Sequence, residues 1–177
     1  PVVSDDSICF GDALPYITAT GVDLDWYSDS LITLIHEGDS LVPPDTDPGV
    51  YQYYVTQEDV ATGCFSNPSI VTFTVNLPAV PVALDTSVCF GLPNQYIQAF
   101  GDSIQWYDDG ALTNLIHQGD SLQDTNTVVG SYTFYVTQID LVNGCESQPD
   151  TVTFDIHDYP AMPFVTNENS CSGYPTP

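Results

Sequence analysis

Apolar and polar positions alternate over short runs along this chain. Tyr16-Ile17-Thr18-Ala19, Leu24-Asp25-Trp26-Tyr27, the run from Val50 to Thr56 and the run from Ile70 to Val75 each have period two and are rich in Val, Thr and Tyr. That is the pattern of half-buried strands. Between them lie Gly21-Val22-Asp23, Gly38-Asp39, Pro43-Pro44-Asp45 and Thr62-Gly63, residues that suit turn backbones. No segment sustains a helical stripe, so the pattern predicts an all-β chain with about seven strands per unit, the signature of a sandwich.

The same run of landmarks occurs twice. Cys9 returns as Cys89 and Trp26 as Trp106, 80 residues on, while His36 returns as His117 and Cys64 as Cys145, 81 residues on. The repeating unit is therefore a domain rather than a short motif. The expected boundaries are 1–79 and 80–161. Residues 162–177 open a third repeat, in which Cys171-Ser172-Gly173 answers Cys89-Phe90-Gly91. On this reading the chain is cut from a longer array.

Charge narrows the function. The chain has 24 acidic residues and neither Lys nor Arg, so conventional salt bridges are absent and self-repulsion opposes compaction. Nucleic acid is excluded as a partner, because phosphate contacts draw on Lys and Arg. An anionic membrane surface is disfavoured for the same reason. No apolar run reaches the roughly 20 residues of a membrane span, and nothing resembles a signal peptide, so any export or anchoring signal is expected outside this segment. Trypsin has no site. Five cysteines, four of them at matched positions, suggest disulfides and an oxidising, extracellular setting; zinc would need closely spaced Cys or His pairs, which are lacking.

Two features resemble the immunoglobulin fold. Trp26 and Trp106 fall where such domains bury a core Trp, and Asp47-Pro48-Gly49-Val50-Tyr51 resembles the tyrosine corner, kept in the second copy as Gly130-Ser131-Tyr132 with Thr127 or Val128 in place of the acid. The second Cys of an antibody domain would stand where this chain has Tyr53 and Phe134. Instead Cys64 and Cys145 fall later, in Gly-Cys-x-Ser ahead of a last Val-Thr-Phe strand. These landmarks together resemble the Ig-like repeat modules of large surface proteins of Bacteroidota exported by the type IX pathway. The resemblance implies tandem immunoglobulin-like β-sandwich domains in an extended array, secreted to the cell surface, adhesive or filamentous, and without catalysis.

For the disulfides, pairing Cys9 with Cys64 and Cys89 with Cys145 would close loops of a little over 50 residues, each worth roughly 4 kcal/mol of loop-closure entropy. This is the preferred arrangement. The usual immunoglobulin strand order offers another, because it puts the first turn and the last hairpin at opposite poles and so brings Cys9 near Cys145 of the next domain. Cys171 is expected to pair with a residue beyond the segment.

Several residues invite a chemical reading. Gly38-Asp39-Ser40-Leu41 and Gly119-Asp120-Ser121-Leu122 spell a lipase and esterase signature, with His36 and His117 nearby. In that family the Ser leads from a strand into a helix of an α/β domain; here the tetrapeptide is repeated in an all-β unit, so it reads as a turn. Trp26-Tyr27 and Trp106-Tyr107 could stack on sugars, but alternation sends the two rings of each pair to opposite faces. Asp23, Asp25, Asp29, Asp45, Asp47, Asp102, Asp108 and Asp109 are candidate calcium ligands. Ser7, Ser30, Ser40, Ser103, Ser121 and Thr151 are candidate O-glycosylation sites, since proteins of the resembled lineage carry glycans at such Asp-Ser or Asp-Thr triplets. The expected function is structural: a segment of a giant secreted cell-surface adhesin or filament, giving reach and stiffness. Its partners would be neighbouring repeats, a homo-oligomeric fibre, and a host or prey surface reached by other parts of the protein. The alternative is a glycan- or protein-binding recognition module.

Overall fold

The computed structural model describes residues 1–165; Cys171 and nearly all of the expected third repeat lie outside them. The described residues form strands and no helix. The first repeat contributes β1 (Val2–Val3), β2 (Asp6–Cys9), β3 (Ile17–Thr20), β4 (Leu24–Tyr27), β5 (Leu34–Glu37), β6 (Ser40–Leu41), β7 (Gly49–Asp59), β8 (Cys64–Phe65) and β9 (Ser69–Asn76). The second contributes β10 (Val82–Leu84), β11 (Thr86–Cys89), β12 (Tyr96–Phe100), β13 (Ile104–Tyr107), β14 (Leu115–Gln118), β15 (Ser121–Gln123), β16 (Gly130–Gln138) and β17 (Asp150–His157).

Each repeat is a sandwich of two sheets. In the first, β1-β3-β6 faces β2-β9-β7-β4-β5; in the second, β10-β12-β15 faces β11-β17-β16-β13-β14. All pairings are antiparallel except β2 with β9 and β11 with β17. The opening strand of each repeat is broken, its first part in the small sheet and its second in the large one. Asp5 makes the break in repeat 1 by accepting the Thr72 amide at 2.7 Å, and Asp85 does the same for Thr153 at 2.8 Å. Counting each broken strand once, and joining β8 to β9, leaves the seven strands that the alternation predicts. The chain is an all-β tandem of immunoglobulin-like sandwiches.

Alternation fixes what is buried. Ile17, Ala19, Leu24, Trp26, Leu41, Tyr53, Val55, Val71, Phe73 and Val75 form one core. Ile97, Ala99, Ile104, Trp106, Leu122, Phe134, Val136, Val152, Phe154 and Ile156 form the other, joined by Val88. Both tryptophans are fully buried, and burying an indole N–H requires an acceptor. Trp26 donates to the Gly38 carbonyl at 2.8 Å and Trp106 to that of Gly119 at 2.7 Å. The tyrosine corners are both present: Tyr51 donates to the Asp47 carbonyl and Tyr132 to the Val128 carbonyl, each at 2.9 Å. Because the acceptor is backbone, Val serves there as well as Asp.

Candidate functional site at the domain junction

The chemistry of this chain concentrates where the repeats meet. Cys9 ends β2, whose parallel register on β9 sets Cys9 beside Asn76, the last strand residue before the connector. Asn76 Nδ2 donates to the Ile8 carbonyl at 3.2 Å, and the Phe10 amide donates to the Asn76 carbonyl at 2.8 Å. Cys9 is thereby fixed at the pole where the chain leaves repeat 1.

Cys145 lies in the connection between β16 and β17. Its amide donates to Asn143 Oδ1 at 2.9 Å, and its carbonyl accepts the Asp140 amide at 2.9 Å. Asp140 in turn takes the Val142 amide and Asn143 Nδ2, both at 2.8 Å. Gly144, at φ +75°, donates its amide to the Asp140 carbonyl at 2.8 Å, closing a turn that a side chain would strain. Gln138 connects this region to the interdomain link: its Nε2 donates to the Ala79 carbonyl at 2.7 Å while its Oε1 accepts the Asp102 amide at 2.7 Å. The hairpin thus sits against the connector, and a disulfide joins Cys9 to Cys145 with 5.3 Å between Cα atoms and a sequence separation of 136.

The preferred pairing within each repeat is therefore not the one formed. Cys64 and Cys89 carry free, exposed thiols. Cys9 is level with Asn76, at the end of β9, whereas Cys64 pairs with Asp59, beyond the far end of β7, where Val55 meets Ser69. The length of an eight-residue strand, more than about 20 Å, separates the two ends of β9. A disulfide needs Cα atoms within about 7 Å.

The Gly-Asp-Ser-Leu segments are crossovers between sheets. The Gly38 amide donates to Leu24 in the large sheet at 2.8 Å, and the carbonyl of the next residue, Asp39, accepts the Ala19 amide of the small sheet at 2.9 Å. Gly119 and Asp120 repeat both bonds, to Ile104 and Ala99. Gly38 and Gly119 make the bend at φ +124° and +122°. Ser40 and Ser121 enter short strands of the small sheet. Among the described residues no hydrogen bond links either hydroxyl to a histidine.

The candidate calcium ligands are not brought together, and no cluster of three His, Cys, Asp or Glu side chains able to hold a metal occurs among the described residues. Four of the eight carboxylates, those of Asp29, Asp45, Asp108 and Asp109, accept hydrogen bonds from the chain itself. Asp29 Oδ1 accepts the Ile32 and Thr33 amides at 3.0 and 2.8 Å, which holds its carboxyl below the usual range, the Thr33 amide most of all. Asp109 does the same for the Ala111, Thr113 and Asn114 amides; desolvation pulls its carboxyl the other way, but these bonds together keep it low. Asp108 receives Asn114 Nδ2, and Asp45 receives the Tyr53 hydroxyl at 2.7 Å. Asp47 and Asp23 contribute backbone carbonyls, Asp25 lies in β4, and Asp102 contributes its amide. Of the candidate glycosylation residues, Ser7, Ser30, Ser103 and Thr151 are exposed and Ser40 and Ser121 partly so.

Sequence reasoning missed Asp5, Asp85 and Glu146. The first two repeat 80 residues apart, ahead of Ser7 and Ser87, and that match was the available signal. Glu146 departs from the repeat, standing where the first copy has Phe65.

No described protein family matches the chain, and no curated protein does. Among solved structures it is similar to extracellular cadherin domains 1–4 of protocadherin gamma B7, at 13% identity and a TM-score of 0.32, covering 90% of this chain and 50% of that one. It is also similar to the N-terminal four Ig domains of Dscam1 isoform 1.9, at 13% identity and a TM-score of 0.29, covering 88% and 44%. A third is Drosophila OTK, extracellular domains 3–5, at 11% identity and a TM-score of 0.28, covering 89% and 63%. The chain thus spans about half to two thirds of the length of each of these structures.

Proposed function

We propose that the chain is a structural, non-catalytic segment of a giant secreted cell-surface adhesin or extracellular filament of the type IX export class, in which domains 1–79 and 80–161 and a third repeat opening at 162–177 supply reach and stiffness. The observation that carries this reading is the disulfide between Cys9 and Cys145. A bond inside one domain stabilises that domain, but a bond between domains restricts how they move relative to one another, which matters to a protein that transmits position or force. Leu77-Pro78-Ala79-Val80-Pro81 supports the same reading, since two prolines limit the connector's backbone freedom. A disulfide also suits an extracellular location. Adhesion to a host or prey surface would fall to other parts of the protein.

Ser40 and Ser121 fit the non-catalytic reading, because both belong to a sheet crossover that the repeat duplicates bond for bond. Electron microscopy of the native assembly tests the proposal. Rods with a regular domain period are expected; isolated globular particles would overturn it. The runner-up, a recognition module, would displace it if this segment alone bound a glycan or a protein tightly and saturably on an array.

A further inference from the structure

The repeat carries Cys145 onto Cys64 and Cys9 onto Cys89. Cys64 therefore occupies in the first domain the hairpin position through which the second domain is held. Cys89 ends β11 beside His157, as Cys9 ends β2 beside Asn76. Each thiol is thus at the outward pole of its domain, one at each end of the pair.

Their surroundings fit a docked neighbour. Cys145, which has its partner, is 1% exposed, whereas Cys64 and Cys89 are open to solvent. Cys64 lines a hollow with Val22, Val60 and Phe65, of which Val60 is 75% exposed. Cys89 lines another with Phe90, Leu92 and Pro93. Each pole therefore pairs a free thiol with uncovered apolar surface, at the position where the internal junction has a bonded cysteine.

We propose that Cys64 and Cys89 are the two complementary halves of a directional staple. Cys89 bonds the hairpin cysteine of a further domain of this construction, and Cys64 bonds the strand-end cysteine of another. Between separate copies of the chain, Cys89 of one joins Cys64 of the next, head to tail. The contact is heterologous, so it propagates instead of closing into a symmetric dimer. Each bond forms as two thiols lose two protons and two electrons to an oxidised thiol couple such as glutathione disulfide, which leaves as two reduced thiols.

This rests on the array reading, and one experiment separates the two. The variants Cys64→Ser and Cys89→Ser, each also carrying Cys171→Ser because Cys171 repeats the position of Cys89, are incubated with oxidised and reduced glutathione, alone and mixed, in enough salt to screen their like charge. The expected result is roughly tenfold more disulfide-linked dimer in the mixture than in either variant alone. The proposal is overturned if either variant alone dimerises as readily as the mixture, or if the mixture stays monomeric. Non-reduced peptide maps, cut with chymotrypsin, are read in parallel. A map that retains Cys9–Cys145 while the mixture stays monomeric sinks this inference alone. A map showing Cys9–Cys64 removes the staple on which the array reading also depends.

Discussion

Thr56 and Thr137 occupy the same position of the two repeats, both buried, and of their two hydroxyls only that of Thr137 has a hydrogen-bond partner. Its hydroxyl donates to Glu146, which also accepts the Tyr107 hydroxyl at 2.8 Å. In the first repeat Phe65 stands in the place of Glu146, and Thr56 Oγ1 is left without a partner. A buried hydroxyl that makes no bond costs desolvation and gives nothing back, so replacing it by a methyl group removes the cost. Thr56→Val should leave the stability of the first domain unchanged or raise it. Thr137→Val should destabilise the second by about 1–2 kcal/mol. Thermal unfolding of the two variants checks this; equal effects would show that the Glu146 network contributes nothing.

That asymmetry marks the limit of what the sequence discloses. Alternation revealed both cores, because inward positions such as Trp26 and Phe73 must be apolar whichever strand faces them. The tyrosine corners were legible because their acceptor is backbone and leaves its residue free to vary. The disulfide was less legible. Whether Cys9 lies nearer Cys64 or Cys145 depends on which end of β9 each one reaches, a fact of strand register that cysteine spacing does not contain. The acidic residues are ambiguous in sequence for a related reason. An Asp that caps its own loop, such as Asp29, has the same composition signal as one that binds a metal; only the directions of the Ile32 and Thr33 amides tell them apart.

The sheet crossover at Gly38 gives a second prediction. With φ at +124°, Gly38 adopts a backbone that L side chains rarely enter, although a Cβ there would meet no backbone atom. Gly38→Ala should therefore cost about 1–3 kcal/mol through strain alone. Ser40→Ala, two residues on, should change neither stability by more than about 0.5 kcal/mol nor any background ester hydrolysis. A loss of hydrolysis on Ser40→Ala would revive the enzyme reading.

Alkaline pH should unfold the second domain earlier than an ordinary tyrosine would suggest. Burial, followed by the hydrogen bond to Glu146 and that residue's charge, pushes the Tyr107 hydroxyl up to about 12, against about 10 in an unfolded chain. The folded state thus holds the proton more tightly. Its contribution is complete below about pH 10 and is lost as pH rises through 12. Tyr53, buried and bonded to Asp45, is raised in the same direction. The melting temperature should stay level to about pH 9 and then fall. Tyr107→Phe should be less stable at neutral pH but show a shallower alkaline decline. An identical decline in both proteins would argue against the assignment.

Self-repulsion among 24 acidic residues, with no Lys or Arg to offset it, predicts stabilisation by salt. Raising NaCl toward about 0.5 M shortens the screening length to a few ångströms and should raise the melting temperature. Calcium should add no more than magnesium does at the same ionic strength, and chelation should change nothing, because the candidate ligands form no cluster of three among the described residues and two of them, Asp29 and Asp109, accept amides of their own loops. A stabilisation particular to calcium would contradict this account.

The junction staple determines how the segment bears load. Tension applied at the two ends reaches Cys9 from one side and Cys145 from the other, then crosses the disulfide, so the chain between them, a sequence separation of 136, forms a loop outside the force path. Only β1, β2 and the end strand β17 remain exposed to pulling, while β3 to β16, with both buried tryptophans, lie within the loop. Reduction should release that loop and add roughly 450–490 Å of extensible chain, at 3.3–3.6 Å per residue. Single-molecule pulling through terminal tags should show no such extension in the oxidised protein and the full amount after reduction. Cys9→Ser should behave as reduced under both conditions. If the oxidised and reduced proteins lengthened equally, the disulfide would not lie in the load path. If they differ as expected, and neighbouring domains use Cys64 and Cys89 in the same way, successive loops overlap, and each domain is bypassed by a bond to its neighbour before its core can be pulled open.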